Sequence, residues 1–206
     1  LEPNGAGLQV NATDDGVANV TVFNSRITNA ATQGINFVAH TGGVVNLRLD
    51  TVAVLSNGDV VQSQGIKGEV GVGAQAESLT APGSFATANL DFRNVTVANH
   101  SLEGLSLDVE SGGIVTTTNP IRNSSFSNNG FGNQRSGVRF RVSDAGSSLQ
   151  ADFDNTVAHD VTGAGYEFRA LNGGDLEVSL TASASQGADS DALNVMADNA
   201  TATIDV

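Results

Sequence analysis

Four of the eight arginines gather in one stretch of this chain, at Arg135, Arg139, Arg141 and Arg169. A guanidinium offers paired N–H donors to a planar anion, so such a cluster suits capture of a uronate or sulfated glycan. The same residues have carboxylates for neighbours, Asp108 and Glu167 among them, and the opposite charges favour plain ion pairing. Other groups with chemical potential are sparse. Asp14-Asp15 is a carboxylate pair of the kind that hydrolyses glycosides, but a turn is the commoner home for it. Lys67 is the single lysine, and His40, His100 and His159 each fall among turn residues. Asn57-Gly58-Asp59, Asp144 to Ser147 and Asp189-Ser190-Asp191 offer oxygen ligands, without the spacing of an EF-hand or a Gly-Gly-x-Gly-x-Asp repeat. Weak Ca2+ binding is the only cofactor expected, with no metal ligands assignable. Six Asn-x-Ser/Thr sequons occur, at Asn11, Asn19, Asn94, Asn99, Asn123 and Asn199, in a chain rich enough in these residues to make them by chance.

What must position these groups is a repeat. Gly7-Leu8-Gln9-Val10, Gly34-Ile35-Asn36-Phe37, Gly65-Ile66-Lys67-Gly68, Gly104-Leu105-Ser106-Leu107, Gly137-Val138-Arg139-Phe140 and Gly165-Tyr166-Glu167-Phe168 share one opening, and Ala192-Leu193-Asn194-Val195 varies it. The spacings are 27, 31, 39, 33, 28 and 27 residues. Alternation makes each opening a strand with one buried face. A second strand follows, with inward pairs Val20/Val22, Leu47/Leu49, Leu90/Phe92, Ala151/Phe153, Val178/Leu180 and Ile204/Val206. Coil four departs at Asn119-Pro120-Ile121, where proline removes a ladder donor. A third short strand has Ile27, Val52/Val54, Val95/Val97, Ser124/Phe126, Val157 and Ala182/Ala184 inward. Before it comes a polar corner, read as Ser25, Thr51, Asn94, Asn123, Asn155 and then Ala182, whose side chains can hydrogen-bond along the axis.

Three short strands per coil of about 30 residues predict an all-β fold, a right-handed parallel β-helix of about six to seven coils filling residues 1–206 as one domain. Stacking at about 4.8 Å per coil gives a rod about 30 Å long. The chain resembles the right-handed β-helix superfamily of pectate lyases, polygalacturonases, phage tailspikes and bacterial adhesins. Gly42-Gly43-Val44-Val45, Gly112-Gly113-Ile114-Val115 and Phe126-Ser127-Asn128-Asn129 resemble the Gly-Gly-apolar and Phe-x-x-Asn motifs of chlamydial-type polymorphic outer-membrane adhesins. The Asn-Thr-Asp, Gly-His-Gly and Arg-Ile-Lys motifs that polygalacturonases of the superfamily use do not occur. The resemblance thus implies a module nearer the adhesins than the enzymes.

Charge and composition narrow the partners. A formal charge of −13, from 22 acidic and 9 basic residues, disfavours nucleic acid and anionic lipid. Tryptophan is absent and tyrosine occurs once, so stacking platforms are scarce. Cysteine is absent, and no apolar run is long enough to insert in a membrane. The opening Leu1-Glu2-Pro3-Asn4-Gly5 is no leader, and neither end reads as a cap. The expectation is a non-catalytic structural or adhesive module, extracellular or at the cell surface. Its coils are expected to continue into further coils or to stack on another copy as a filament, with glycans as possible further partners. The alternative is a β-helix domain that binds or degrades polysaccharide. One loop insertion, residues 71–88, is a candidate binding excursion, as is the Asn- and Gly-rich stretch Ser127 to Ser136.

Overall fold

The computed structural model describes residues 5–56, 63–71, 85–131 and 135–206. Every strand pairing within it is parallel, and the described residues contain no helix. The chain is a β-solenoid of about six turns. Its first sheet stacks seven strands, Leu8–Ala12, Ile35–Ala39, Ile66–Val70, Leu105–Val109, Val138–Ser143, Tyr166–Leu171 and Leu193–Asp198. A twelve-stranded sheet carries the second and third limbs of each coil. In the first two coils these limbs are one bent strand, Val17–Thr28 and then Val44–Leu55. Later coils divide them, as in Thr87–Arg93 with Thr96–Ala98 and Ser148–Asp154 with Val157–His159.

The register is the one that the repeat dictates. Leu8 pairs with Ile35, Ile35 with Ile66, Ile66 with Leu105, Leu105 with Val138, and Val138 with Tyr166. Like residues therefore stack, and the inward side chains fuse into one apolar core running along the axis. The opening glycines are there for space. A Cβ at Gly34 would run into Val54, one at Gly65 into Val97, and one at Gly137 would come within 2.9 Å of Ala158 Cβ. At each, the start of the first strand passes against the inward face of the third limb of its own coil. Gly68 yields room differently: it sits between Phe37 and Leu107, and its missing side chain admits the Phe37 ring.

Each coil bends at left-handed residues. Among the described residues, seventeen non-glycine residues have positive φ, and thirteen of them are Asn or Asp, whose short polar side chains tolerate that region best. The corner before the third limb is formed by Asn24, Thr51, Asn94, Asn123, Asn155 and Ala182, with φ from 46 to 58°. Ser25, expected in this column, lies one residue beyond it: Ser25 pairs with Val52, which places Asn24 beside Thr51. The Ser25 hydroxyl instead donates to the Phe23 carbonyl at 2.8 Å across the corner. Ser124 and Ser183 do the same, to Arg122 and Thr181.

The third limb is also displaced by one residue in two coils. Phe126 pairs with Ala158, and Ala158 with Ser185, so these point inward in place of Val157 and Ala184. Ala158 is fully buried. Val206, expected inward, is 85% exposed. The fourth coil breaks its second limb into Ile114–Thr117 and Ile121–Arg122 around Pro120. The Thr117 hydroxyl accepts the Asp152 N–H at 3.1 Å beside that break. Most of the expected insertion, including Pro82-Gly83, lies outside the described residues, and its coil resumes as a strand at Thr87 with Ala88 already in the core.

Candidate functional site

The first sheet's outer face brings the four arginines together on two adjacent coils. Arg139 stands in register between Ser106 and Glu167, and Arg141 between Asp108 and Arg169. Simple cross-coil pairing would join Arg139 to Glu167 and Arg141 to Asp108. The structure corrects both partners. Arg139 Nη2 lies 3.0 Å from Asp108 Oδ2 and 3.1 Å from Ser106 Oγ. Arg141 Nη1 lies 2.7 Å from Glu110 Oε1. Each guanidinium reaches two residues further along the preceding coil, a diagonal that lies within reach of so long a side chain. Glu167 is held on the other side, accepting from Ser136 Oγ at 2.6 Å and pairing with Arg169 Nη2 at 2.5 Å on its own strand. Arg141 and Arg169, adjacent in register, are thereby drawn toward different carboxylates.

Arg135 shares a carboxylate with Arg139. Glu103 Oε1 is 3.6 Å from an Nη1 of each, beyond hydrogen-bonding distance, and the residue is 1% exposed. Sequence reasoning passed over Glu103. It precedes an opening glycine, a column that carries Gln33 and Gln64 in the coils below, and an acid there beneath two arginines was the available signal. Four arginines thus face four carboxylates, Glu103, Asp108, Glu110 and Glu167. A groove of about 550 Å³ runs beside this patch, lined by Ser136, Thr162, Glu167, Arg169, Asp189 and Asn194 among others.

The corner column makes one rung of an amide ladder, Asn155 Nδ2 donating to Asn123 Oδ1 at 2.8 Å. Thr51 turns its hydroxyl to Asp50 Oδ1 at 3.1 Å instead. A longer ladder runs up the second limb, from Asn89 to Asn46 to Asn19, each step 2.7 Å. A second left-handed corner, at the end of the third limb, stacks Asn99, Asn128 and Asp160 on consecutive coils, with Asn29 at the same place in the first coil. Neither of these was read from the sequence.

The remaining candidates separate. Asp14 and Asp15 are exposed left-handed turn residues, φ 51 and 62°. Among the described residues no three His, Asp or Glu side chains converge as a metal cluster, and Asn57-Gly58-Asp59 lies outside them. Among the described residues no helix is long and apolar enough to cross a membrane. His100 is 2% exposed, with Nε2 3.3 Å from the Val54 carbonyl, and burial pushes its pKa down to about 4. The next coil repeats that contact with Asn129, whose Nδ2 donates to the Val97 carbonyl at 3.2 Å. Asn129 and Phe126 of the Phe-x-x-Asn sequence are both fully buried, the ring in the core and the amide closing the turn.

No protein-family model matches the chain, and no curated protein or solved structure is found to resemble it. The β-solenoid stands on its own geometry.

Proposed function

We propose that the chain is a non-catalytic structural and adhesive β-helix module of an extracellular or cell-surface protein, related to the bacterial adhesins whose motifs it resembles. The observation that supports this is the balanced arginine face. Arg135, Arg139, Arg141 and Arg169 are each engaged by a carboxylate, so their charge is spent on tying coils and neighbouring side chains together. Amide rungs on the second limb do the same without charge. Such a rod holds its lateral faces in fixed register, which suits a spacer or a display surface. Its partners in this reading are further coils or copies of the same solenoid, and glycans met at its flank. Electron microscopy of the purified chain tests the assembly part, with end-to-end rods expected and single-copy particles at all concentrations counting against stacking.

The groove beside Arg169 supports a second reading, a domain that binds or cleaves acidic polysaccharide. A screen of polyuronates and sulfated glycans, with Arg141→Ala and Arg169→Ala as controls, separates the two. Turnover that is lost in both variants would replace the structural reading with this one.

A further inference from the structure

The third-limb face carries a constellation that the structural role does not use, and the activity proposed for it goes beyond the non-catalytic reading of the arginine face. Ser125 begins the strand Ser125–Ser127, and His159 ends the strand Val157–His159 on the next coil. The two strands are parallel neighbours, with Ser127 opposite His159. His159 Nδ1 lies 2.9 Å from Asp160 Oδ2, and His159 Nε2 lies 3.3 Å from Ser125 Oγ. An ionised carboxylate only accepts, so with a neutral ring Nδ1 carries the proton and Nε2 presents its lone pair to the Ser125 hydroxyl. Nucleophile, base and orienting acid thus stand in the order that activates a serine. We propose that Ser125, His159 and Asp160 form a reactive-serine site that takes the acyl group of activated carboxylic esters.

Two neighbouring features fit this chemistry. Gly187 caps Asp160 from the next coil, and a Cβ there would stand 2.8 Å from Asp160 Oδ1. The glycine leaves the carboxylate free to hold the rotamer that meets Nδ1. On the other side, Asn128 donates its N–H to the His159 carbonyl at 3.1 Å and also lines a groove of about 350 Å³ with Asn99, Ser101 and Phe131. The Phe131 ring is 77% exposed and offers apolar surface to an aryl or short acyl group.

The step balances as follows. Ser125 Oγ attacks the ester carbonyl carbon while its proton passes to His159 Nε2. The tetrahedral adduct expels the alkoxide or aryloxide, which takes that proton, and the acyl group stays on Ser125. Water, deprotonated by the same nitrogen, then releases the carboxylic acid and restores the serine. The half-exposed face leaves the oxyanion to solvent, which restricts the substrates to esters with good leaving groups.

p-Nitrophenyl acetate is the probe. The folded chain is expected to release p-nitrophenolate and to carry acetyl on Ser125, mapped by peptide mass spectrometry. Ser125→Ala and His159→Gln should slow release about a hundredfold, the usual scale for general-base help. Asp160→Asn, which removes a positioning residue, should slow acylation while leaving the adduct on Ser125. Far-UV circular dichroism confirms that each variant folds, and a fluorophosphonate label mapped on the unmodified chain serves if one does not. Acetyl found only on Lys67 or the N-terminus, no fluorophosphonate on Ser125, or equal rates with and without the Ser125 hydroxyl would overturn the proposal. Arg48→Ala, on the second limb and outside every candidate binding residue, should leave the rate unchanged.

Discussion

At the scale of residues, the solenoid is governed by left-handed corners, and at the corner before the third limb two positions are occupied by ill-suited side chains. Thr51 has φ 58° and Ala182 φ 48°, in a column otherwise held by asparagine. A β-branched residue is a genuine outlier there. Thr51→Asn should therefore stabilise the protein by about 1 kcal/mol, and Ala182→Asn by somewhat less, read as raised denaturation midpoints in urea. A loss of stability in both would show that the corner does not set the local energy. His100 argues from the same scale. Its Nε2 contact to the Val54 carbonyl requires a proton on Nε2, and its Nδ1 is buried with no hydrogen-bond partner. The neutral ring is the native form, with a pKa near 4 set by burial against an ordinary 6.5. Between those values the unfolded chain binds a proton that the native chain refuses. The stability His100 contributes is thus complete above about pH 6.5 and falls away as the pH drops toward 4, by up to about 3 kcal/mol. His100→Asn places there the side chain that Asn129 already uses one coil on. It should lose markedly less stability than the parent between pH 7.5 and 4.5, compared by urea midpoints.

At the scale of elements, what the sequence made legible depended on which side chains face inward. The first strand was readable throughout, because glycine marks its start and apolar residues alternate after it. The second limb was readable wherever Val, Leu and Phe carry the core. The third limb slipped by one residue where its inward positions are polar. Thr156 is 2% exposed and shares its hydroxyl with Ser183 Oγ at 2.9 Å and Tyr166 OH at 3.2 Å. Alternation of apolar residues around Val157 sends Thr156 outward, and only its stacking on Val95 and Ser124 returns it to the inside. The arginine patch was legible as a cluster because parallel register brings its columns together, but its partners were not, since a guanidinium chooses among diagonals by reach. The Ser125–His159–Asp160 arrangement spans two coils and has no local motif, so no spacing announces it. The broken second limb of coil four offers a test of how such departures are compensated. Thr117 stands where the other coils place Leu90 and Ala151, and its hydroxyl accepts the Asp152 N–H. Thr117→Val keeps the shape and removes the acceptor, leaving a backbone donor unmet. It should cost about 1–3 kcal/mol, whereas Thr117→Ser should cost less, and equilibrium denaturation of the two distinguishes a lost acceptor from lost packing.

At the scale of the whole molecule, a solenoid has no contacts between distant coils, so stability is a sum over neighbours. That sum is uneven along these 206 residues. Phe140, Phe153, Tyr166 and Phe168 form one aromatic cluster, with ring centroids 5.5 to 6.5 Å apart, across two coils. The strand Leu193–Asp198 pairs in its sheet with Tyr166–Leu171 on one side, and Val195 and Met196 are 42% and 44% exposed. Opening the aromatic coils breaks contacts on both sides, whereas opening the last strand breaks them on one. Amide exchange should then be slowest in Val138–Ser143 and Ser148–Asp154 and fastest in Leu193–Asp198 and Thr201–Asp205, followed by mass spectrometry on the 206-residue chain. Phe140→Ala should cost about 3–5 kcal/mol and speed exchange in both flanking coils, while Val195→Ala should cost under about 1 kcal/mol and change only its own strand. Uniform exchange along the chain would mean that the coils open together, and the energy would then reside in the ladders that link every coil, the asparagine rungs and arginine diagonals, ahead of the local packing.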